Sequence, residues 1–174
     1  MKLLMHMCCA PCSTYPLQLL RSKDIEITGL FYNPNIHPID EYEMRLNTVK
    51  QFSKLVNLDV KYIDDYMEDK WLNYKGLEYD RCRMCYSIRF EKVAKYAFEN
   101  GYDAFTTTLL VSPYQKHDLI KELCEMYSKK YNILFYYEDF RDGFREGQKI
   151  AKELKLYRQK YCGCIISYNE RNNK

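Results

Sequence analysis

A chain of 174 residues is long enough to bury a core without disulfide or metal staples, so one domain spanning residues 1–174 is expected. Its 47% apolar and 29% charged content is that of a soluble globular protein, and no apolar run approaches the roughly 20 residues of a membrane-spanning helix, which excludes an integral helical membrane protein. The formal net charge of +3 is too small to mark a nucleic-acid binder, but residues 141–174 hold nine Lys or Arg against four Asp or Glu and leave the first 140 residues net negative.

Lys2–Met7 is a short apolar run that enters Cys8-Cys9-Ala10-Pro11-Cys12, the pattern of a buried strand followed by a turn. A helix follows, with Pro16 in its first turns and Leu17, Leu19 and Leu20 on its apolar face, and Arg21-Ser22-Lys23-Asp24 ends it. Ile25–Tyr32 is the second strand, stopped by the turn-rich Asn33-Pro34-Asn35-Ile36-His37-Pro38. Asp40 then caps a helix to Val56 with apolar positions at Tyr42, Leu46, Val49, Phe52 and Val56. Val60–Ile63 is the third strand, and residues 64–81 are an irregular acidic insertion anchored by Trp71.

Cys82 and Cys85 open a helical pattern carrying Ile88, Val93, Ala94, Ala97 and Phe98, with a stop at Asn100-Gly101. Ala104–Leu110 is predicted as strand four, residues 116–129 as a helix, Ile133–Tyr137 as strand five and Gly147–Leu156 as a basic helix. The last feature read is Tyr161-Cys162-Gly163-Cys164. This alternation predicts a three-layer α/β domain with a mostly parallel sheet. In such sheets ligands gather beyond the carboxyl ends of the strands, where Cys8, Cys9 and Cys12 fall.

The apolar start Leu3–Met7 follows a single lysine and is shorter than the roughly 7–15-residue core of a signal peptide, so a cytoplasmic location is expected, where thiols stay reduced. The eight cysteines are then thiols or metal ligands. Seven fall in three clusters: Cys8, Cys9 and Cys12 with a C-x-x-C, Cys82 and Cys85 with another, and Cys162 and Cys164 as a C-x-C. Sulfurs two or three residues apart can face one ion at bond lengths of about 2.3 Å. Three such groups separated by about 70 residues each favour iron–sulfur over a zinc ribbon, although spacing alone leaves zinc open. Cys124 stands apart within a helix and is expected to be a small core residue.

The blocks His6-Met7-Cys8-Cys9-Ala10-Pro11-Cys12, Tyr32 to Pro38, Arg81-Cys82-Arg83-Met84-Cys85, Phe105 to Tyr114 and Tyr157 to Cys164, with Asp139-Phe140-Arg141 as a weaker one, resemble the signature blocks of the QueH family of epoxyqueuosine reductases. The resemblance implies a HUP/Rossmann-like fold and a [4Fe-4S] cluster beside a mononuclear iron, with the seven clustered cysteines as candidate ligands. Some relatives place a carboxylate near position 12, which leaves the division of thiolates between the two metals open. The resemblance also implies reduction of the epoxide of epoxyqueuosine at the wobble position of tRNAs with a G-U-N anticodon. The electron donor is not identified, and a monomer is expected.

His37 follows the Asn-Pro turn and is the candidate catalytic acid, whereas His6 sits among buried apolar neighbours and reads as a satisfied core histidine. Tyr114 and Asp142 are loop residues to which turn chemistry gives a sufficient account. Tyr157, Arg158, Lys160 and Tyr161 form an aromatic-basic stretch able to stack a splayed base and hold phosphates, and are the candidate tRNA-binding residues. The rival readings are a zinc-stabilised tRNA-binding protein without catalysis, an adenylating tRNA-modifying enzyme and a dinucleotide oxidoreductase. The last two lack their glycine-rich loops: three cysteines follow strand one where an S-G-G-x-D-S loop would stand, and no G-x-G-x-x-G follows a strand.

Overall fold

Five strands, β1 (Lys2–His6), β2 (Glu26–Phe31), β3 (Val60–Tyr62), β4 (Ala104–Thr107) and β5 (Leu134–Phe135), pair in parallel in the order β3-β2-β1-β4-β5. The computed structural model describes residues 1–173; Lys174, counted above in the basic segment, lies outside them. β1 is buried from Leu3 to His6 and β4 throughout, the condition of parallel strands covered on both faces and the reason they read as continuous apolar runs. The helices are α1 (Ala10–Ser22), α2 (Ile39–Leu55), α3 (Asp69–Leu72), α4 (Glu78–Glu99), α5 (His117–Tyr131), α6 (Phe144–Glu153) and α7 (Ile165–Asn172). α1 packs on α2 and α6, and α4 packs on α5. Because the strand order reverses between β1 and β4, right-handed crossovers put these two groups on opposite faces of the sheet, which gives three layers.

Several boundaries differ from the sequence reading, each for a local reason. Cys9 is extended and caps α1, its Sγ accepting the Cys12 amide at 3.4 Å, so Cys12 lies inside the first turn of a helix rather than on a loop. Pro38, and not Asp40, is the residue before α2; Asp40 and Glu41 occupy its first turn, where carboxylates suit the positive end of the helix dipole. β4 stops at Thr107, because Thr107 Oγ1 accepts the Leu109 amide at 3.2 Å and Thr108–Val111 curls into a 3-10 turn. α4 begins at Glu78, before Cys82. Phe98 is 54% exposed and leaves Val93, Ala94 and Ala97 as the core face. α7 has no counterpart in the sequence reading.

Among the described residues no helix is long and apolar enough to cross a membrane, and all eight cysteines are free of disulfides. Cys124 is fully buried in α5.

Candidate functional site

The reversal of strand order between β1 and β4 opens a crevice at their carboxyl ends, and side chains from both strands close its floor. His6 Nδ1 lies 2.9 Å from Thr107 Oγ1, while Nε2 lies 3.0 Å from Asn33 Oδ1 and 3.2 Å from the Tyr32 carbonyl. Two acceptors at Nε2 fix the proton there. Burial, reinforced by the charge of Arg89, lowers the His6 pKa to about 4, so the ring is a neutral tie between strands. One residue past Met7, the Cys8 amide donates to Thr108 Oγ1 at 3.1 Å and Cys8 Sγ lies 3.2 Å from the same hydroxyl.

The sulfurs of Cys8, Cys9 and Cys12 all lie within 4.8 Å of one another, the strand end supplying Cys8 and the start of α1 supplying the other two. Gln159, far along the chain, donates from Nε2 to Cys9 Sγ at 2.9 Å. Hydrogen bonds from Cys12 and Cys9 hold the Cys8 thiol well below its ordinary range. Burial pushes Cys9 up, and the hydrogen bond with Cys8 pushes Cys12 up. A metal bound there would displace the thiol protons.

The other four clustered cysteines line a neighbouring space. Cys82 and Cys85 are three apart in the first turns of α4 and so share a face. Cys162 and Cys164 sit on the turn before α7. All four line one small space of about 20 Å³, together with Trp71 and Arg89. A larger cavity of about 440 Å³ is lined by Cys8, Cys12, Cys82 and Cys162 among others. The beginning, middle and end of the chain thus contribute sulfur to adjoining spaces.

The C-x-C turn is held by residues from α2 and the loop before it. Arg45 donates to the carbonyls of Cys162 and Tyr161, both at 3.0 Å, pairs with Glu41 and lies over the Tyr161 ring. Gly163 has φ 145°, a conformation suited to glycine, and a Cβ there would come within 3.1 Å of Arg45 Nη1. The His37 amide donates to the Gly163 carbonyl at 2.7 Å, and His37 Nδ1 accepts the Ile165 amide at 2.8 Å.

The expected catalytic acid His37 is fully buried and does not line the cavity. Its Nε2 is engaged by the carbonyls of Met67 and Pro34, so both ring nitrogens are occupied and the geometry gives it a positioning task. Tyr157 OH donates to the Glu41 carboxylate at 2.6 Å, and Tyr161 OH donates to the His37 carbonyl. Both hydroxyls face protein. Arg158 and Lys160 are exposed and line the cavity. Tyr114 also lines it, with 82% of its surface open and its ring edge-on to Phe144. Asp142 is exposed in the turn before α6.

With this geometry in place, the comparisons with known proteins give a consistent result. The model of the family Epoxyqueuosine reductase QueH matches residues 3–170. The chain belongs to the QueH family of epoxyqueuosine reductases. It is therefore an oxidoreductase. QueH of Dehalococcoides mccartyi is 35% identical over 178 residues, covering 99% of this chain and 96% of the relative. QueH of Thermotoga maritima is 37% identical over 181 residues, covering 98% and 92%. Among solved structures, the U34-tRNA thiolase NcsA of Methanococcus maripaludis with its [4Fe-4S] cluster aligns with a TM-score of 0.63 at 14% identity, over 99% of this chain and 64% of that one. That likeness places the fold among HUP/Rossmann-like domains.

The residues present fit an iron–sulfur group on chemical grounds. Thiolates are the soft ligands that iron–sulfur groups take, and seven thiols in two adjoining groups supply them. Two buried donors stand beside those sulfurs. Trp71 is fully buried, lines the smaller space and has no acceptor for its Nε1–H. Arg89, 3% exposed, donates from Nη2 to Cys85 Sγ at 3.3 Å.

The sequence reading passed over Arg89, Trp71, Gln159, Thr108 and Arg45 as site residues. For Arg89 a signal existed: it stands four and seven residues after Cys85 and Cys82, on the same helical face. For Arg45 and Gln159 no local pattern pointed to cysteines more than 100 residues away in sequence.

Proposed function

We propose that the chain reduces the epoxide of epoxyqueuosine to the alkene of queuosine within tRNA, with a [4Fe-4S] cluster and an adjacent iron held by Cys8, Cys9, Cys12, Cys82, Cys85, Cys162 and Cys164. The observation that carries this reading is the convergence of sulfurs from three distant chain segments on adjoining spaces. Removing the epoxide oxygen as water takes two electrons and two protons. When bound, such a cofactor pair supplies single-electron transfer and a Lewis acid for the departing oxygen.

The chain's own residues do the rest. The cavity of about 440 Å³ falls in the size range of small-molecule sites, about 300–1,000 Å³, and so accommodates one extruded nucleoside. Arg158, Lys160 and Lys116 line it and offer cations to backbone phosphates. The Tyr114 ring is open for stacking on a splayed base. Tyr157 and Tyr161 belong to the same tRNA-facing segment, where their internal hydrogen bonds fix the backbone that presents Arg158 and Lys160. Thr108 and Gln159 orient Cys8 and Cys9. In this reading the protein is a cytoplasmic monomer acting on tRNAs with a G-U-N anticodon and supplied by a low-potential electron donor.

The test is anaerobic incubation of iron-reconstituted protein with epoxyqueuosine-containing tRNA and dithionite, followed by nucleoside analysis. Queuosine should form, and C82A and C162A should abolish both the brown colour and turnover. A colourless preparation carrying stoichiometric zinc, or full turnover in a colourless variant, overturns the reading.

A further inference from the structure

Arg89 is a buried cation without a carboxylate. Its side chain lies within α4 at 3% exposure. Among the described residues no Asp or Glu oxygen comes within 4.0 Å of it, whereas the other deeply buried arginine, Arg45, is paired with Glu41. Its hydrogen bonds go to the Cys85 carbonyl through Nε and to Cys85 Sγ through Nη2, each at 3.3 Å, and its guanidinium lies 5.5 Å from the centre of the Tyr86 ring.

Arginine stays protonated under any condition in which the protein is folded, and an uncompensated buried charge is strongly destabilising. Some anion must therefore face it. Arg89 lines both the space shared by Cys82, Cys85, Cys162 and Cys164 and the larger cavity that reaches Cys8 and Cys12. The carboxylate among the described residues that line these spaces, Glu78, pairs with Lys116 at 3.5 Å, whereas the group that Arg89 itself meets with a side-chain hydrogen bond is the Cys85 sulfur.

We propose that Arg89 is the fixed counter-cation of the sulfur site and sets the reduction potential of the group bound there. This rests on the iron–sulfur reading given above. Each electron added makes the site more negative, and a positive charge held in a low-dielectric interior stabilises the reduced form more than the oxidised one. Arg89 therefore raises the potential and eases reduction by the donor. It acts as a positioning and electrostatic residue and has no need to touch substrate.

The test compares iron-reconstituted wild type with R89M, R89Q and R89K by anaerobic spectroelectrochemistry, with iron and sulfide content measured in parallel. The two neutral variants should bind the cluster with at least a tenfold less favourable reduction equilibrium, which for one electron is a midpoint about 59 mV more negative. R89K, which retains the charge, should recover most of that shift. R89Q serves if R89M fails to load. A midpoint unchanged in a loaded neutral variant, or one lowered as far in R89K as in R89Q, overturns the inference while leaving the cluster assignment standing. A wild-type protein that takes up zinc and no iron overturns both.

Discussion

At His37 the ring is held in one tautomer: Nδ1 accepts the Ile165 amide at 2.8 Å and Nε2 donates to the Pro34 and Met67 carbonyls. Protonating Nδ1 would set two N–H groups against each other. Burial lowers the His37 pKa below its ordinary 6.5, so at mildly acidic pH the unfolded chain takes up this proton more readily than the folded one. The associated stability is complete above about pH 6.5 and is lost as pH falls below it toward the folded-state value. The stability of the metal-free protein against denaturant should therefore fall as the pH is lowered from about 7 to about 5. H37N, whose Oδ1 still accepts from Ile165, should show a shallower slope, and equal slopes would contradict this account of the ring. The expected role of His37 in proton transfer came from its place in an Asn-Pro turn; the position was legible, but the carbonyls that occupy Nε2 were not.

At the scale of elements, the C-x-C turn is shaped by α2 more than by its own sequence. Arg45 satisfies two carbonyls of the turn and stacks on Tyr161, and α7 packs back on α3 beside Trp71. R45M would strand two carbonyls and leave Glu41 with the Tyr157 hydroxyl but no cation, at a cost of about 2–4 kcal/mol. Hydrogen exchange should then rise selectively over residues 157–172, and reconstituted iron should fall because Cys162 and Cys164 lose their place. Uniform exchange across the chain would rule out this division of labour. α7 escaped the sequence reading because eight residues that include two Ile, a Ser, a Tyr and two Asn have no strong intrinsic preference, and it is the packing of Ile165 in one cluster with Trp71 and Cys85 that makes them helical. The early start of α4 has a similar origin: Glu78 and Asp80 favour a helix N-terminus, but their surroundings read as an acidic loop.

For the whole molecule, the clustered cysteines come from segments separated by about 70 to 80 residues of chain, so a metal group held by all of them, as proposed, would tie the start, the centre and the end of the fold together. Ligand that binds only the folded state adds about 4 kcal/mol at a free concentration 1,000 times its Kd. For a domain of this size that is a rise in Tm of roughly 8–16 °C. Anaerobic calorimetry before and after reconstitution should show the increase, and removal of iron by a chelator under reducing conditions should reverse it. An unchanged Tm in a protein with full iron content would mean that the metal does not bridge the three segments.

The linear chain determined the alternation of strands and helices, the parallel sheet with cysteines at its carboxyl edge, and the identity of the seven clustered thiols, because each is written in a local period or a short spacing. Tertiary structure alone decided which partners those groups meet. It set Gln159 on Cys9 and Arg45 on the final cysteine turn, and it turned the hydroxyls of Tyr157 and Tyr161 into the protein. Most of these contacts join residues more than 100 positions apart, and no local propensity encodes them: they follow from the hydrophobic burial that closes the three layers, after which each buried polar group must take whatever partner the closed fold presents.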